Sequence, residues 1–290
     1  MNRRQFLKHS LRAFTVFGVS KGMFNSSRFE LTLDYVPIQI DGLPLQFKGT
    51  KIAVLSDIHS SLLVGKDLIA TAAKMAMEAR PDMIVLLGDF ISGRMHPKKI
   101  IDSAFDVKYV DVCADALSTL RAPMGIYGVL GNHDFWGGDA AIEAICTKFT
   151  MKFRVEWLRN SAVELTRQGG SIYLLGVDDF WEQSCSINGA YEGLDRNSVK
   201  ILLSHNPDIN AGIDPLYKKI DIVLSGHTHG GQVVLPIIGS PFLPSVYGQR
   251  YRIGLIEDNG RRVYVTRGIG HTILPIRYNC PPEVTIIVLT

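Results

Sequence analysis

Acidic, amide and imidazole side chains follow five short apolar runs in this chain of 290 residues. The residues in these positions are Asp57, His59, Asp89, Asn132, His133, Asp134, His205, His227 and His229. Oxygen and imidazole-nitrogen ligands without thiolates suit divalent Mn, Fe, Zn or Ni better than Ca²⁺ or a sulfur-preferring ion. The pattern therefore predicts a centre that binds divalent metal cations.

The spacing of these residues predicts more than one ion. In Asp57-x-His59 and in His227-x-His229, both side chains point to the same side, because side chains alternate along extended backbone. Glycines at 226 and 230 permit a tight loop around the second pair. Two such pairs and several separate ligands exceed the needs of one cation, so we predict two metals that share a bridging ligand.

A structural alternative exists for each of these residues. A single Asp or His at the end of a strand usually caps a helix or is hydrogen-bonded within the core. This alternative weakens when one edge collects three carboxylates, one Asn and five His, because burying so many unpaired polar groups is costly. It stays open for Asp134, which could cap a helix predicted over residues 137–149.

The elements that must position these residues are short buried strands and amphipathic helices. Apolar runs rich in β-branched residues and bounded by Gly or Asp predict strands over residues 52–55, 83–87, 126–130, 172–177, 199–203 and 220–224. Apolar residues at helical spacing predict helices over residues 66–80, 110–120 and 140–149. This alternation predicts parallel strands with crossover helices, and loops after the carboxyl ends of such strands form active sites.

The pattern changes after Gly230-Gly231. Short strands without intervening helices are predicted over residues 232–235, 251–256, 262–265 and 284–289, and Asp258-Asn259-Gly260 predicts a hairpin turn. The sequence therefore predicts one α/β domain over residues 31–290 whose later strands form an antiparallel layer.

Composition narrows the class of protein. Hydrophobic residues make up 46% of the chain and charged residues 20%. Both shares are typical of a globular protein. The net charge is only +3 and the basic residues are scattered, so we expect no nucleic-acid partner.

The four cysteines, at 113, 146, 185 and 280, are far apart. We expect buried free thiols and keep disulfides as the alternative.

The amino terminus carries Arg3 and Arg4 followed by Phe6 and Leu7, which is typical of a twin-arginine export signal. Residues 11–22 are apolar but too short and too interrupted by charge for a spanning helix. We expect residues 1–30 to be a targeting segment and the protein to be associated with the membrane of the cell envelope. Export, the cytoplasmic face and a merely basic terminus at the membrane surface remain open.

Taken together, the blocks resemble a known family. Asp57-x-His59, Gly88-Asp89, Gly131-Asn132-His133-Asp134, Ser204-His205 and Gly226-His227-Thr228-His229 occur in the order seen in the calcineurin-like metallophosphoesterases. The resemblance covers roughly residues 48–290. The twin-arginine start and the carboxyl-terminal residues are similar to the bacterial twin-arginine phosphodiesterase branch, of the YaeI and YkuE type. The resemblance implies a four-layer α/β sandwich of two mixed β-sheets flanked by helices.

The resemblance also implies roles for individual residues. Asp57, His59 and His229 would bind the first metal, Asn132, His205 and His227 the second, and Asp89 would bridge both. A hydroxide bridging the two cations would then attack the phosphoester. His133 would act as a general acid or stabilise developing charge, and Asp134 would orient it.

The implied activity is hydrolysis of a phosphodiester or a lipid-linked phosphate. The alternatives are pyrophosphate cleavage in a nucleotide-linked lipid such as UDP-2,3-diacylglucosamine and, with less support, a non-catalytic metal-binding scaffold. Arg267 and Arg277 are candidates for phosphate contacts, or are solvated or ion-paired arginines with no role at the site. Trp136, Phe180 and Trp181 are candidates for an apolar substrate pocket or for core anchors.

Overall fold

Two mixed β-sheets, each of six strands, form the centre of the protein. The computed structural model describes residues 30–92, 106–182, 184–214, 219–272 and 275–290. The strands of the first sheet are β1 (Thr32–Ile38), β2 (Lys51–Leu55), β3 (Met83–Leu86), β4 (Ile126–Gly128), β5 (Val155–Trp157) and β12 (Glu283–Leu289). Their order across the sheet is β1-β12-β2-β3-β4-β5.

The second sheet has the order β10-β11-β9-β8-β7-β6. Its strands are β6 (Ser161–Arg167), β7 (Gly170–Gly176), β8 (Lys200–Leu203), β9 (Ile222–Ser225), β10 (Gly254–Asp258) and β11 (Arg261–Val265). The four central strands β7, β8, β9 and β11 are parallel, and β6 and β10 pair antiparallel at the two edges.

Helices cover the outer faces of both sheets. They are α1 (Lys66–Glu78), α2 (Val107–Leu117), α3 (Asn132–Trp136), α4 (Asp139–Phe153) and α5 (Ile187–Tyr191). Helix α1 buries Ile69, Ala72, Ala73 and Ala76, which share one face at the spacing of an α-helix. Helix α4 ends at Arg154, whose left-handed backbone lets the chain turn directly into β5.

Three buried apolar layers separate these elements. In β2, side chains alternate, so Ala53 and Leu55 pack under helices α1, α2 and α4, whereas Ile52 and Val54 pack between the sheets. A third layer lies on the outer face of the second sheet beneath α5. Because both faces of the central strands are buried, their sequences are continuously apolar. The layers confirm the predicted sandwich of two mixed sheets flanked by helices.

The predicted antiparallel layer of later strands is wrong. Strand β12 lies in the first sheet, parallel to β1 and antiparallel to β2. Strand β11 continues the parallel part of the second sheet next to β9. The predicted hairpin is confirmed, since Asn259 and Gly260 join β10 to β11 with φ of 50° and 76°. Positive φ at both central residues is what such a two-residue turn requires.

The predicted strand over residues 232–235 is also wrong, because this stretch makes only isolated bridges from Val233 to Tyr278 and from Leu235 to Gly239. The left-handed Gly231 and the following Pro236 interrupt extended pairing there. The sequence interpretation missed β1, β5 and β6, which are short or half-exposed strands at or beside sheet edges.

All four cysteines are free, with Cys113 and Cys280 buried and Cys146 and Cys185 half-buried. The predicted targeting segment, residues 1–30, lies outside the described residues except for Glu30, so this part of the domain division stays a prediction. Within the described ranges, no helix has both the length and the apolar character that crossing a bilayer requires.

Candidate metal centre

The predicted ligands of the first sheet follow the carboxyl ends of three adjacent parallel strands. Asp57 and His59 come after β2, Asp89 comes after β3, and Asn132 and His133 come after β4. Because parallel strands end at the same edge, their following loops meet there.

The second sheet contributes its ligands in the same way. His205 follows β8, and His227 and His229 follow β9. All of the predicted metal and catalytic residues are at most 7% exposed. The structure therefore brings together, in one buried region between the two sheet edges, the residues that the sequence singled out.

Five of the seven predicted ligands have left-handed backbone. The φ angles are 52° at Asp57, 50° at His59, 56° at Asp89, 68° at His227 and 51° at His229. Residues other than glycine adopt this conformation rarely, and strain of this kind concentrates at functional sites. The loops therefore hold these ligand side chains in place although the backbone conformation is locally unfavourable.

Bonds between neighbouring loops hold this backbone in place. The amide of Asp57 donates to Gly88 O at 3.0 Å, and the amide of His59 donates to Asp89 O at 2.9 Å. The amide of His227 donates to Asp57 Oδ1 at 2.9 Å, which joins the loops of the two sheets.

Two glycines are required by close contacts at the centre. A Cβ on Gly131 would lie 2.2 Å from Asp89 Oδ1, and a Cβ on Gly226 would lie 2.2 Å from Asp57 Oδ2. Both distances are far below van der Waals contact. The glycines of the Gly-Asn-His and Gly-His blocks thus leave room for the carboxylates.

The first ligand cluster consists of Asp57, His59 and His229, whose ligand atoms all lie within 4.8 Å of one another. The Nε2 atoms of His59 and His229 are 3.0 Å apart, and His229 Nε2 is 3.5 Å from Asp57 Oδ1. These are the residues that the resemblance assigns to the first metal.

The second cluster consists of Asp89, His205 and His227. His205 Nε2 lies 3.2 Å from Asp89 Oδ2 and 3.2 Å from His227 Nδ1. Asp89 Oδ2 also lies 3.4 Å from His59 Nε2 of the first cluster. Asp89 therefore contacts both clusters, as a bridging ligand must.

Asn132 adds an observation that favours a cation. Its Oδ1 is buried and has no hydrogen-bond partner. An unpaired buried amide oxygen costs about 1–3 kcal/mol, whereas a divalent cation would accept its lone pair. Together with the carboxylate and imidazole ligands, this oxygen fits a divalent metal site.

Bonds to main-chain carbonyls set the direction of two imidazoles. His205 Nδ1 donates to Leu87 O at 2.7 Å, which directs Nε2 towards Asp89 and His227. His227 Nε2 donates to Pro244 O at 2.9 Å, which leaves Nδ1 facing the cluster. Such bonds are typical of histidines that bind a metal through the other nitrogen.

Burial also sets the charges of the ligands. Burial lowers the pKa values of His59 and His229 well below the usual value of an imidazole. It lowers the pKa of His227 to about 3. These three imidazoles are therefore neutral. Burial by itself would lower the pKa of His205, but the carboxylates of Asp89, Asp57 and Asp179 together outweigh this effect and raise that pKa to about 10. A metal would therefore displace a proton from His205.

His133 lies against the clusters without belonging to either of the two described above. Its amide donates to Asp89 Oδ1 at 2.8 Å, and its ring centroid is 4.7 Å from that of His59 and 4.5 Å from that of Trp136. A side-chain atom of His133 can also join His59 and Asp89 within ligand reach. Its predicted role in catalysis stays a prediction.

Asp134 fastens the Asp89 loop to α3. Its carboxylate accepts the amides of Asp89 at 2.8 Å, Phe90 at 2.9 Å and Gly131 at 2.9 Å. The alternative in which Asp134 caps the helix over residues 137–149 is wrong, because the N-cap of α4 is Gly138. That Asp134 orients His133 stays a prediction.

Comparison with known proteins shows to which family the chain belongs. Residues 50–231 match the family described as "Calcineurin-like phosphoesterase". The chain belongs to this family. The predicted resemblance is thereby confirmed, and with it the class of fold.

This phosphoesterase also resembles individual bacterial proteins. It is 31% identical to "Uncharacterized metallophosphoesterase YkuE" of Bacillus subtilis over 100% of this chain and 98% of that protein. It is 34% identical to "Phosphodiesterase YaeI" of Escherichia coli over 82% of each. It is 28% identical to an "Uncharacterized metallophosphoesterase" of Aquifex aeolicus over 89% of this chain and 92% of that protein.

A pocket opens onto the centre of this phosphoesterase. The residues that line it are Asp89, Asn132, His133, Trp136, Trp181, His227, His229, Pro244 and Thr272. Trp136 donates from Nε1 to Glu182 Oε1 at 2.7 Å, and Trp181 packs with its centroid 4.5 Å from that of His227. Two of the three predicted aromatic residues therefore form pocket walls, whereas Phe180 is 41% exposed.

The sequence interpretation missed Glu182, Pro244 and Thr272. Glu182 lies in a 3₁₀ turn, Phe180–Glu182, and Pro244 and Thr272 lie in long loops. The only sequence signal that these three residues lie near the site is their position in loops that follow predicted strands.

Neither arginine is placed for the phosphate contacts that the sequence allowed. The structural alternative, a solvated or ion-paired arginine, is confirmed for Arg267, whereas Arg277 is buried and bonded to main-chain oxygens. Arg277 is fully buried and donates to the carbonyl oxygens of Gly270 and Cys280, beside His229. Arg267 is ion-paired with Asp34 at 2.5 Å and with Glu283 at 2.5 Å. Neither residue lines the pocket.

Proposed function

We propose that this phosphoesterase hydrolyses phosphodiesters with two divalent cations bound at the clustered ligands. The observation that carries the proposal is the position of Asp89, whose carboxylate contacts His59 of one cluster and His205 of the other. Asp57, His59 and His229 would hold one cation. His205, His227 and Asn132 would hold the second, and Asp89 would be shared.

When bound, such a pair of cations polarises the phosphoester and activates water for attack. Mn, Fe, Zn and Ni all match the mixed oxygen and nitrogen ligands. The buried, neutral imidazoles are in the form that donates a lone pair to a cation.

His133 is positioned to contact the substrate and act as the general acid. It lines the pocket, and its amide is held by Asp89 Oδ1 while its ring packs against Trp136. In this place a protonated imidazole donates its proton to the leaving oxygen of the ester. Asp134 supports the arrangement by holding the loop of Asp89.

The walls of the pocket favour a phosphodiester over the alternative of pyrophosphate cleavage. Trp136, Trp181 and Pro244 offer apolar surface, and the described lining residues include neither Lys nor Arg. A pyrophosphate carries a second charged phosphate, which would need a further cationic group. The name of the relative YaeI, a phosphodiesterase, agrees with this choice.

The scaffold alternative has less support, because all seven predicted metal ligands are present and buried together. We further propose that the protein works at the cell envelope, associated with the membrane. The supporting observation is the sequence around Arg3 and Arg4, which is typical of a twin-arginine signal. A lipid-linked phosphodiester would suit that location.

A substrate comparison tests the proposal. Metal-depleted protein is reloaded separately with Mn²⁺, Fe²⁺, Zn²⁺ or Ni²⁺, and its metal content is measured. Each preparation is then assayed on bis(nitrophenyl) phosphate, nitrophenyl phosphate and a nucleoside diphosphate ester. We expect the diester to be hydrolysed fastest. Faster cleavage of the pyrophosphate would favour the alternative, and fully loaded protein that cleaves none of them would contradict hydrolysis.

A further inference from the structure

The two imidazoles of the second ligand cluster come from neighbouring loops. His205 follows β8 and His227 follows β9, and His205 Nε2 lies 3.2 Å from His227 Nδ1. The ring of His205 is fixed by the carbonyl oxygen of Leu87, which directly follows β3. The amide of Leu87 donates in turn to Leu55 O at 2.9 Å. The ring of His205 is therefore held by the first sheet itself.

The ring of His227 depends on a less regular part of the chain. Its Nε2 donates to Pro244 O at 2.9 Å. Pro244 belongs to residues 232–247, all of which the structure describes and none of which lies in a helix or in a strand of either sheet. No strand ladder therefore sets the position of this carbonyl oxygen. Because the contact of the second nitrogen orients a ligand imidazole, whatever fixes Pro244 also fixes His227.

Asp208 fixes the chain directly after Pro244. Its Oδ1 accepts the Ser245 hydroxyl at 2.5 Å, and its Oδ2 accepts the Val246 amide at 2.9 Å. Ser245 Oγ in turn accepts the amide of Tyr247 at 3.1 Å. Both oxygens of Asp208 act as acceptors, as in an ionised carboxylate. Hydrogen bonds to such an acceptor are about twice as strong as those between neutral groups.

Asp208 belongs to the same loop as the other imidazole of the cluster. It lies three positions after His205 and is buried. The Asn206 side chain accepts the amide of Asp208 at 2.9 Å, which fixes this stretch locally. The carbonyl oxygen of His205 also accepts the amide of Gly226 at 3.0 Å, directly before His227. The loops after β8 and β9 are thus joined on the main chain as well as through Asp208.

These contacts form a closed ring around the second cluster. From His205 the chain leads to Asp208, whose carboxylate holds the residues after Pro244. Pro244 O holds the ring of His227, and His227 Nδ1 lies beside His205 Nε2. Pro244 and His227 line the pocket, whereas Asp208 does not. Any effect of Asp208 on the centre therefore passes through the loop of Pro244.

We propose that Asp208 is a positioning residue for the second cation, because it holds the loop whose carbonyl oxygen directs His227 Nδ1 towards the cluster. The inference rests on the proposed function only in requiring that a second cation binds there, and it does not require hydrolysis. Loss of Asp208 releases Pro244 and lets the imidazole of His227 turn. The effect falls on the second cation, since His227 belongs to its cluster and not to the first.

Metal titration of the full-length chain tests the proposal. Asp208→Ala removes both bonds, and Ser245→Ala removes one of them and is the milder change for folding. The matched control is Asp221→Ala. The Asp221 carboxylate accepts the Lys200 amide at 2.9 Å, but at the amino-terminal ends of β8 and β9, away from the centre. Circular dichroism and thermal unfolding measure the fold and stability of each variant.

Binding of Mn²⁺ to metal-depleted protein is measured by isothermal titration calorimetry, which gives two dissociation constants for the parent. Asp208→Ala should raise one of them by about 10–100-fold, the usual effect of losing a group that orients a metal ligand. The other constant should stay nearly unchanged. Ser245→Ala should raise the same constant by less. Asp221→Ala should leave both constants as in the parent, even where it lowers thermal stability.

A double-mutant cycle tests whether Asp208 acts through His227. In the His227→Ala background, Asp208→Ala should not weaken the remaining cation any further, because the ring that the loop holds is no longer there. The combined change of Asp208 and Ser245 to Ala should weaken the second cation no more than Asp208→Ala alone, because both remove the same contact.

Four results would overturn the proposal. They are Asp208→Ala with both constants unchanged, a loss that affects both constants alike, an equal loss for Asp221→Ala, and a further loss in the His227→Ala background. A parent that binds fewer than two cations would overturn this proposal and the shared centre together. A parent that binds two cations but hydrolyses nothing would contradict only the proposed hydrolysis.

Discussion

His59 and His229 place their Nε2 atoms 3.0 Å apart, although they are separated by 170 positions in the chain. His59 follows a strand of the first sheet and His229 follows a strand of the second. The first ligand cluster is therefore assembled from both sheets. A cation bound there would tie the sheets together, and metal binding should raise the thermal stability of the whole fold.

The first prediction concerns Asp89. Because its carboxylate contacts both clusters, Asp89→Ala should lose both cations and all activity together. Elemental analysis after reconstitution should give two ions per chain for the parent and fewer than one for the variant. Asp41→Asn, at an exposed position, is the control and should keep both ions. A parent that holds one ion would contradict the shared site.

The second prediction separates chemistry from metal binding. His133→Ala should keep both cations and lose roughly 10²–10⁴ in rate, the usual contribution of a positioned acid or base. The loss should shrink for a nitrophenyl ester, whose leaving group needs little protonation. Loss of a cation instead would make His133 a ligand, which its closeness to His59 and Asp89 would permit.

The third prediction concerns Asp134, whose carboxylate accepts the amides of Asp89, Phe90 and Gly131. Asp134→Asn replaces one accepting oxygen by a donor, so the loop of Asp89 should loosen and metal affinity should fall. Activity should return when metal is supplied in excess. If kcat stays low at saturating metal, Asp134 acts on His133, as the sequence predicted.

The fourth prediction concerns pH and the metal-free protein. Against the opposing effect of burial, the carboxylates of Asp89, Asp57 and Asp179 together raise the pKa of His205 to about 10, above the usual 6.5. The stability from this raised pKa is fully present below 6.5 and is lost as the pH rises towards 10. Between about pH 7.5 and 9, unfolding should therefore become easier by up to about 1.4 kcal/mol per pH unit.

Metal affinity should change in the opposite direction over the same range, because the cation displaces the proton of His205. Denaturant titration and isothermal titration calorimetry measure the two trends. The metal-free His205→Gln variant should show a flatter dependence of stability on pH. Equal slopes in the two proteins would assign the effect to other groups.

The fifth prediction concerns location. Replacing Arg3 and Arg4 by Lys should leave a tagged protein in the cytosol, because twin-arginine signals depend on both arginines. Cell fractionation measures the distribution. A variant that is distributed as the parent is would show that the two arginines are only part of a basic terminus.

Much of the candidate site could be predicted because its signals are local. Asp57, Asp89 and His205 each follow an apolar strand, and sheet geometry alone gathers the ends of parallel strands. The hairpin at Asn259-Gly260 is equally local, since its backbone conformation depends on those two residues.

The remaining features depend on contacts between distant parts of the chain. The sequence around Arg277 does not reveal that its guanidinium is buried among carbonyl oxygens beside His229. Likewise, the apolar residues 284–289 fit any buried strand, and only the packing of the whole protein selects the place between β1 and β2. The sequence left a helix cap as the alternative for Asp134, and it does not reveal that the carboxylate accepts the amides of Asp89 and Phe90.

The position of β12 has a consequence for biosynthesis. This strand follows all the other described strands in the sequence, yet it pairs with both β1 and β2, and Thr32 bonds to Pro282 across 250 positions. Strand β2 leads directly into Asp57 and His59, so their scaffold lacks a neighbouring strand until residues 283–289 have been synthesised. Pairing across such separations is slow. We therefore expect the centre to be completed, and cations to be bound, only after β12 has been synthesised and has paired with β2.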